Sequence, residues 1–548
     1  MSPADCGCCE KGGSVDKVID IADAVRLIRD GDCVYIGGSG GGHAVPEAMI
    51  ESLAARFAQA AQPRGLTLAS TVSIGDWEAT GFNLLADAGL VRRVISGGFN
   101  NSPGIGALAL ADEIEAYTLP QGVMSQLSRD MAAGRPGLLT KTGLHTFVDP
   151  RHGGGRQSAR STEDLVKLVV IDGEEFLLYR AFPIDVVIIR GTTADEYGNL
   201  TMEDEAFLGE NFSLAAAAHR QGGRVIVQVQ RLAANGTLDG RQVKVPGNLV
   251  DHIVVVPDQR QTYRTAYSAA YAGKLRIPDT EVPSIAFDIR KVIARRAAQE
   301  LFPGAVVNLG YGVSNGISAV AAEEGISREV TLTVEQGIIG GVPAGGKDAG
   351  AGVNYHMLNP QPDQFDFYDG GGLDIAFLSF AQVDRHGNVN VSRYGKAVNG
   401  AGGFINISQG ARKVVFSGTL TASGLDIALD GRGGMELRRD GTVGKWLPDV
   451  EQVTFSGPFA MERGQEVMFV TDRAVFRLTA QGITLIEIAP SVDLEEQVLA
   501  RIGFPVIVSP DLKRMDARLF RDEPMGIADE FRRRAPARPP SNGSSHQE

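Results

Sequence analysis

The stretch DVVIIRGTTADEYGN at residues 185–199 returns as DIAFLSFAQVDRHGN at residues 374–388. Asp185, Asp195, Gly198 and Asn199 fall on Asp374, Asp384, Gly387 and Asn388, each 189 positions later. The offset persists, since Arg224-Val225-Ile226-Val227 falls on Lys413-Val414-Val415-Phe416, again a strand pattern after a helix-like segment. A chain of 548 residues exceeds what one hydrophobic core usually serves, and the recurrence reads as an internal duplication. Both halves open alike. Cys33 to Ile36 is a strand pattern followed by Gly37, Gly38, Gly40, Gly41 and Gly42, then Pro46 at the first position of a small-residue helix. Ala305 to Leu309 is followed by Gly310, Gly312 and Gly316 and an Ala-rich helix through Ala319 and Ala322. These openings are 273 residues apart, so the first half carries an insertion, expected between about residues 60 and 180.

Short apolar runs such as Leu168 to Ile171, Ile253 to Val256 and Val506 to Val508 alternate with helical segments. That alternation predicts mainly parallel sheets covered by helices. The expected fold class is α/β, with two open doubly wound domains. Expected bounds are a flexible Cys-containing tail at 1–16, a first domain at 17–280, a second at 281–530 and a disordered tail at 531–548. The division rests on Pro and charge interrupting the pattern near Lys274 to Pro283. The tail rests on Arg532-Arg533-Arg534 followed by Pro, Ser, Gly and Asn. A first helix follows Asp20 and ends before Gly31. A last one runs from the capping pair Asp493 and Glu496 through Ile502 to Gly503.

A net charge of −13 repels phosphate backbones and anionic lipid heads, which argues against nucleic acid and membrane partners. No apolar run approaches the 18 or more residues of a membrane helix, and Met1 to Gly13 lacks the pattern of a secretory leader, so a cytoplasmic protein is expected. Cys6, Cys8 and Cys9 crowd together without a distant second pair or nearby His, a poor tetrahedral metal site. Cys33 sits inside an apolar run, as a small buried hydrophobe does.

Glycine loops between strand and helix can present N–H groups to an anion, or simply make a tight turn. The first loop lacks the Lys-Ser/Thr of a nucleotide-binding P-loop. The eight histidines form no HExxH, and no GxSxG elbow occurs. At Val330 to Gly346 a β-branched strand delivers Glu335 to its C-terminal end, with glycines clearing space beyond it. A carboxylate there can act as nucleophile. A glutamate at a strand end is also commonly an exposed or capped residue.

TVEQGIIGGVPAGG, NLGYGVSNGI, FDFYDGGGLDIAFLSFAQVDRHGNVNVSRYG and GAGGFINISQGARKVVFSGT resemble the second half of the family I coenzyme A transferases. GHAVPEAM, AYTLPQG, RGTTADEYGNLTMEDE and GGRVIVQVQR resemble the first half, especially of the single-chain acetate or propionate type. The resemblance implies a CoA-transferase acting on acyl-CoA and short-chain carboxylates, with Glu335 as catalytic nucleophile passing through a glutamyl-CoA thioester. It places oxyanion donors around Gly402, Gly403 and Phe404, a substrate-holding amide at Gln121, and Asn308 near the reacting centre. It implies no metal and no cofactor besides coenzyme A itself as substrate, and a homo-oligomer, dimer or tetramer. Ser39 departs from the aromatic residue that many relatives carry after the first glycine pair, which bears on the acyl pocket. His43 is read as a loop histidine satisfying backbone groups or as a substrate contact. Two other functions fit the same residues: acyl-CoA hydrolysis at the same glutamate, and a non-catalytic metabolite-sensing module.

Overall fold

The protein is described from a computed structural model, which covers residues 17–278 and 285–534. The cysteine cluster, Pro283 with the expected boundary at 280 and 281, and the chain after residue 534 lie outside the described residues.

Two large sheets organise the rest. The first has seven strands in the order His252–Val255, Arg224–Val229, Val186–Arg190, Cys33–Ile36, Leu66–Ala69, Val91–Ser96 and Glu115–Thr118, every neighbouring pair parallel. The second has ten strands around a parallel centre of Thr331–Val334, Val306–Leu309, Ile375–Ser379, Lys413–Ser417 and Glu466–Val470. Its flanks include antiparallel pairs: the hairpin from Thr331–Val334 into Ile338–Ile339 on one side, and Ala474–Thr479 with Gly482–Ile488 on the other. Parallel strands are covered on both faces, so their residues are continuously apolar; Val186 to Arg190 is buried at every position.

The repeated motif is structural. The Cys33 N–H donates to the Asp185 carboxylate at 2.8 Å, and the Val306 N–H donates to Asp374 at 2.9 Å. Each aspartate thereby pins the start of the neighbouring strand. Asp195 accepts the N–H groups of Tyr197 and Asn199, and Asp384 those of His386 and Asn388. Gly198 and Gly387 take φ of +100° and +76°, values that favour glycine.

The first half also holds two further parallel strands, Val91–Ser96 and Glu115–Thr118, and a three-stranded antiparallel sheet of Gly137–Thr140, Glu174–Arg180 and Val166–Ile171. The run Leu168 to Ile171 therefore belongs to this small sheet and not to a parallel one, a correction to the alternation argument. The Asp493 cap is present, its carboxylate accepting the Glu496 N–H at 2.7 Å. The helix after it is a single turn, Leu494–Gln497, followed by a 3-10 turn at Leu499–Arg501. It is not the last helix, because Ala528–Arg532 follows. Phe531 is buried there, Arg532 pairs with Glu329 at 2.8 Å and Arg534 Nη1 donates to the Leu301 carbonyl at 3.0 Å, so residues 531–534, expected in the tail, are bonded parts of the second half.

The two halves interlock. Ala401 and Ile405 of the second half are buried in a core otherwise built by the first, and burial of one such isoleucine contributes about 1.5–3 kcal/mol. Helix Gln121–Ala132 packs on helix Gln361–Asp369, and a Cβ on Gly122 would stand 2.4 Å from Phe365 and 2.5 Å from Asn406. Only glycine allows that approach.

Candidate active site

Between the halves lies a cavity of about 830 Å³. Its walls come from the C-terminal ends of both parallel arrays: Ser39, Val72, Asn100 and Gln121 from the first half, Tyr311, Glu335 and Phe380 from the second. Loops at the carboxyl ends of parallel strands are where open α/β sheets hold ligands.

Glu335 is the first residue of a tight turn. Strand Thr331–Val334 pairs antiparallel with Ile338–Ile339, the Gly337 N–H closes the turn on the Val334 carbonyl at 3.0 Å, and Gly337 has φ of +108°. A Cβ on Gly337 would lie 2.1 Å from the Asn359 carbonyl oxygen, so this glycine fixes where the chain reverses. Burial raises the Glu335 carboxyl above the ordinary glutamate range, opposed by hydrogen bonds from its own N–H and from the Gln336 and Asn308 side chains. A carboxylate desolvated in this way binds its electrons less well and is the better nucleophile. Among the described residues lining the cavity, it is the only acid.

Gly402 and Gly403 stand opposite. A Cβ on Gly403 would approach the Glu335 Cγ to 3.4 Å, and one on Gly402 would approach the Gln121 Oε1 to 3.8 Å. The Gly402 N–H donates to the Gly97 carbonyl at 2.8 Å, and the Phe404 N–H donates to the Ala401 carbonyl at 3.0 Å. The Gly403 N–H has no partner among the described residues. Of the three expected oxyanion donors, the turn into helix Phe404–Gly410 thus leaves one free, while Phe404 lines the wall with its ring.

Gln121 opens its helix and is 1% exposed. Its N–H donates to the Gly402 carbonyl at 2.8 Å, which ties it to the glycine pair across the two halves. Its side-chain Nε2 is buried without a hydrogen-bond partner, although the residue lines the cavity. An unpartnered buried amide costs about 1–3 kcal/mol, which a hydrogen bond to an oxygen entering the cavity would offset.

Asn308 does not line the cavity. It sits on the neighbouring strand, behind Glu335, where its Nδ2 donates to the Tyr368 hydroxyl at 3.2 Å and the Thr333 carbonyl at 3.4 Å. The Tyr368 hydroxyl donates to Thr333 Oγ1 at 2.9 Å. This network holds the base of the Glu335 strand. His43 is fully buried, and its Nε2–H donates to the Ala349 carbonyl at 3.0 Å, the backbone role. The first glycine loop serves close packing: Cβ atoms on Gly41 and Gly42 would stand 2.5 Å from the Lys347 carbonyl oxygen and the Tyr263 nitrogen.

Sequence reasoning missed Gln336, Trp77, Tyr311 and Lys445, all lining the cavity. Gln336 Nε2 donates to Ser39 Oγ at 3.4 Å, and Trp77 and Tyr311 stack with centroids 6.3 Å apart across its rim. Gln336 follows Glu335 directly and Tyr311 sits in the second glycine loop, so both had a positional signal; Trp77 and Lys445 come from loops of no recognisable pattern.

The sequence matches the family described as Coenzyme A transferase over residues 18–256. It is 42% identical over 512 residues to the acetate CoA-transferase YdiF of Escherichia coli K12, covering 93% of this chain and 96% of that protein. It is also 42% identical over 519 residues to the caffeate CoA-transferase of Acetobacterium woodii, covering 93% of this chain and 98% of that one. The fold superposes with a TM-score of 0.90 and 41% identity on the crystal structure of the acyl-CoA transferase YdiF from E. coli O157:H7 in a thioester complex with CoA, over 94% of this chain and 98% of that chain.

Proposed function

The chain belongs to the coenzyme A transferase family, and we propose that Glu335 is the group through which it moves coenzyme A from a short-chain acyl-CoA to a second carboxylic acid. The observation that carries this reading is a desolvated Glu335 carboxyl close to Gly403, with its free N–H, in a cavity that Gln121, with its free amide, also lines.

The Glu335 carboxylate attacks the thioester carbonyl, the C–S bond breaks, and a mixed anhydride forms as CoA leaves as thiolate. The thiolate then attacks the glutamyl carbonyl, the anhydride C–O bond breaks, and the first acid leaves as its carboxylate. The glutamyl-CoA thioester keeps the energy of the original thioester on the protein. A second carboxylate reverses the sequence. Each addition builds charge on a carbonyl oxygen, and the Gly403 N–H and Gln121 amide are the donors that meet it. The Asn308 side chain bonds the Glu335 carboxyl and, through Thr333 and Tyr368, holds the end of the strand that delivers it. The scheme requires neither metal nor redox cofactor.

Acetate- or propionate-like acids are the substrates of this reading, supported by the acetate CoA-transferase relative. The reading includes the division at residues 280 and 281 into α-subunit-like and β-subunit-like domains, a cytoplasmic location, and a homo-oligomer. Acetyl-CoA incubated with propionate tests it by chromatography of the products. Propionyl-CoA formed as acetyl-CoA disappears supports transfer. Free CoA accumulating at that rate with no new thioester assigns a hydrolase instead.

A further inference from the structure

Two cations line the cavity among the described residues, Lys347 and Lys445. Lys347 pairs with Glu78 at 3.4 Å and is half-exposed. Lys445 is 9% exposed and has no ion-pair partner among the described residues. Its ammonium lies 3.8 Å from the centroid of the Phe380 ring, another cavity residue, and a Cβ on Gly418 would stand 3.0 Å from the Nζ. The backbone beneath it is locked: the Val383 N–H donates to the Lys445 carbonyl at 2.8 Å, and the adjacent Trp446 is buried against Phe380 and Phe469.

Asp472, the acid whose charge acts on Lys445, has other partners. Asp472 accepts the Leu420 N–H at 2.6 Å and faces Arg473 Nε at 3.2 Å. Burial lowers the Lys445 ammonium to about 8, with Asp472 opposing. A buried cation resting on an aromatic face alone lacks the hydrogen-bonding partner that such groups normally take.

We propose that Lys445, held between Gly418 and the Phe380 ring, binds an anionic oxygen group of the substrate, either a phosphate of the CoA nucleotide or a carboxylate of the acid. The assignment rests on the CoA-transfer reading of the cavity. In the bound acyl-CoA the pantetheine arm and its thioester are neutral, so the substrate group that meets this ammonium on binding lies at one of the two charged ends of the reacting pair. Lys445 is in this account a binding residue for the reaction and not a participant in the covalent steps.

The test compares Lys445→Met, Lys445→Arg and Gly418→Ala with the unaltered enzyme. The KM of each substrate is measured, together with the affinity for 3′-phosphoadenosine 5′-diphosphate, which carries the phosphates of CoA without its thiol. Loss of a charge-assisted hydrogen bond predicts a rise of about 10- to 100-fold in one KM for Lys445→Met, with kcat moving less and Lys445→Arg restoring most of the affinity. A rise in the acyl-CoA KM with weaker nucleotide binding assigns the phosphate. A rise in the carboxylate KM alone assigns the carboxylate. Gly418→Ala, which keeps the charge and crowds the Nζ, shifts the same parameter in the same direction and decides the matter if Lys445→Met does not fold. Both KM values and the nucleotide affinity staying within about twofold in the folded variants overturn the proposal. Nucleotide binding needs no turnover, so it separates this result from a failure of the unaltered enzyme to exchange CoA.

Discussion

The backbone N–H of Gln121 donates to the Gly402 carbonyl at 2.8 Å, so a residue of the first half is tied directly to the glycine pair of the second. The free amide of Gln121 and the free N–H of Gly403 are therefore held in the wall of the cavity that Glu335 also lines, before any ligand arrives. Donors arranged in advance need no reorganisation when charge develops.

Gln121→Ala is expected to lower kcat by about 100-fold, the scale for one oxyanion donor. The backbone hydrogen bond to Gly402 survives the substitution, so the melting temperature changes little. Steady-state kinetics beside a thermal melt check this, and an unchanged kcat removes Gln121 from the site.

Gly403 has φ of −77° and ψ of −6°, values any residue adopts. Gly403→Ala therefore tests contact and not backbone strain. Its Cβ meets Ile407 Cδ1 at 3.1 Å and Glu335 Cγ at 3.4 Å. Ile407 must give by a few tenths of an ångström while the Glu335 contact is ordinary van der Waals contact, so the added methyl narrows the space beside the nucleophile and predicts a loss of about 10-fold in kcat/KM with folding retained. Equal activity would show that this approach does not position the nucleophile.

Glu335 has its pKa raised by burial, so its charged form opposes folding. A carboxyl raised in the folded state stabilises fully below its unfolded pKa of about 4.3, and that contribution is lost as pH rises through the folded value. Glu335→Gln should thus melt higher than the unaltered protein at pH 7, with the difference shrinking toward pH 4. Melting curves across that range check the sign, and a variant less stable at pH 7 contradicts it.

Glu210 is buried and pushed up to about 8, and it accepts the Thr71 hydroxyl. It is neutral at pH 7 by this account, so its stabilisation declines between roughly pH 4.3 and 8 and is gone above. Glu210→Gln should flatten that part of the stability profile. An unaltered slope between pH 5 and 8 would show that Glu210 is ionised in the folded protein.

Much of this was legible in the residues. The repeated aspartates predicted matching halves because each performs the same local task, anchoring a strand start or closing a turn within four residues. Glu335 was legible because a β-branched strand and a glycine-rich turn are local signals. What sequence could not supply depends on distant packing. Whether a given N–H near Gly402, Gly403 and Phe404 is free depends on Gly97 and Ala401, which occupy two of the three. Lys445 gives no local signal at all, since its isolation comes from Phe380, Gly418 and Asp472, brought together by three different loops. The edge strand Val166–Ile171 was misplaced because a short apolar run carries no information on the direction of its neighbour.

The central claim is a covalent one, and mass spectrometry of the protein after incubation with an acyl-CoA tests it directly. The account predicts a CoA adduct, or its borohydride or hydroxylamine product, on the peptide containing Glu335 and absent from Glu335→Ala. Exchange that proceeds with no modification of that peptide, or that persists undiminished in Glu335→Ala, would contradict it.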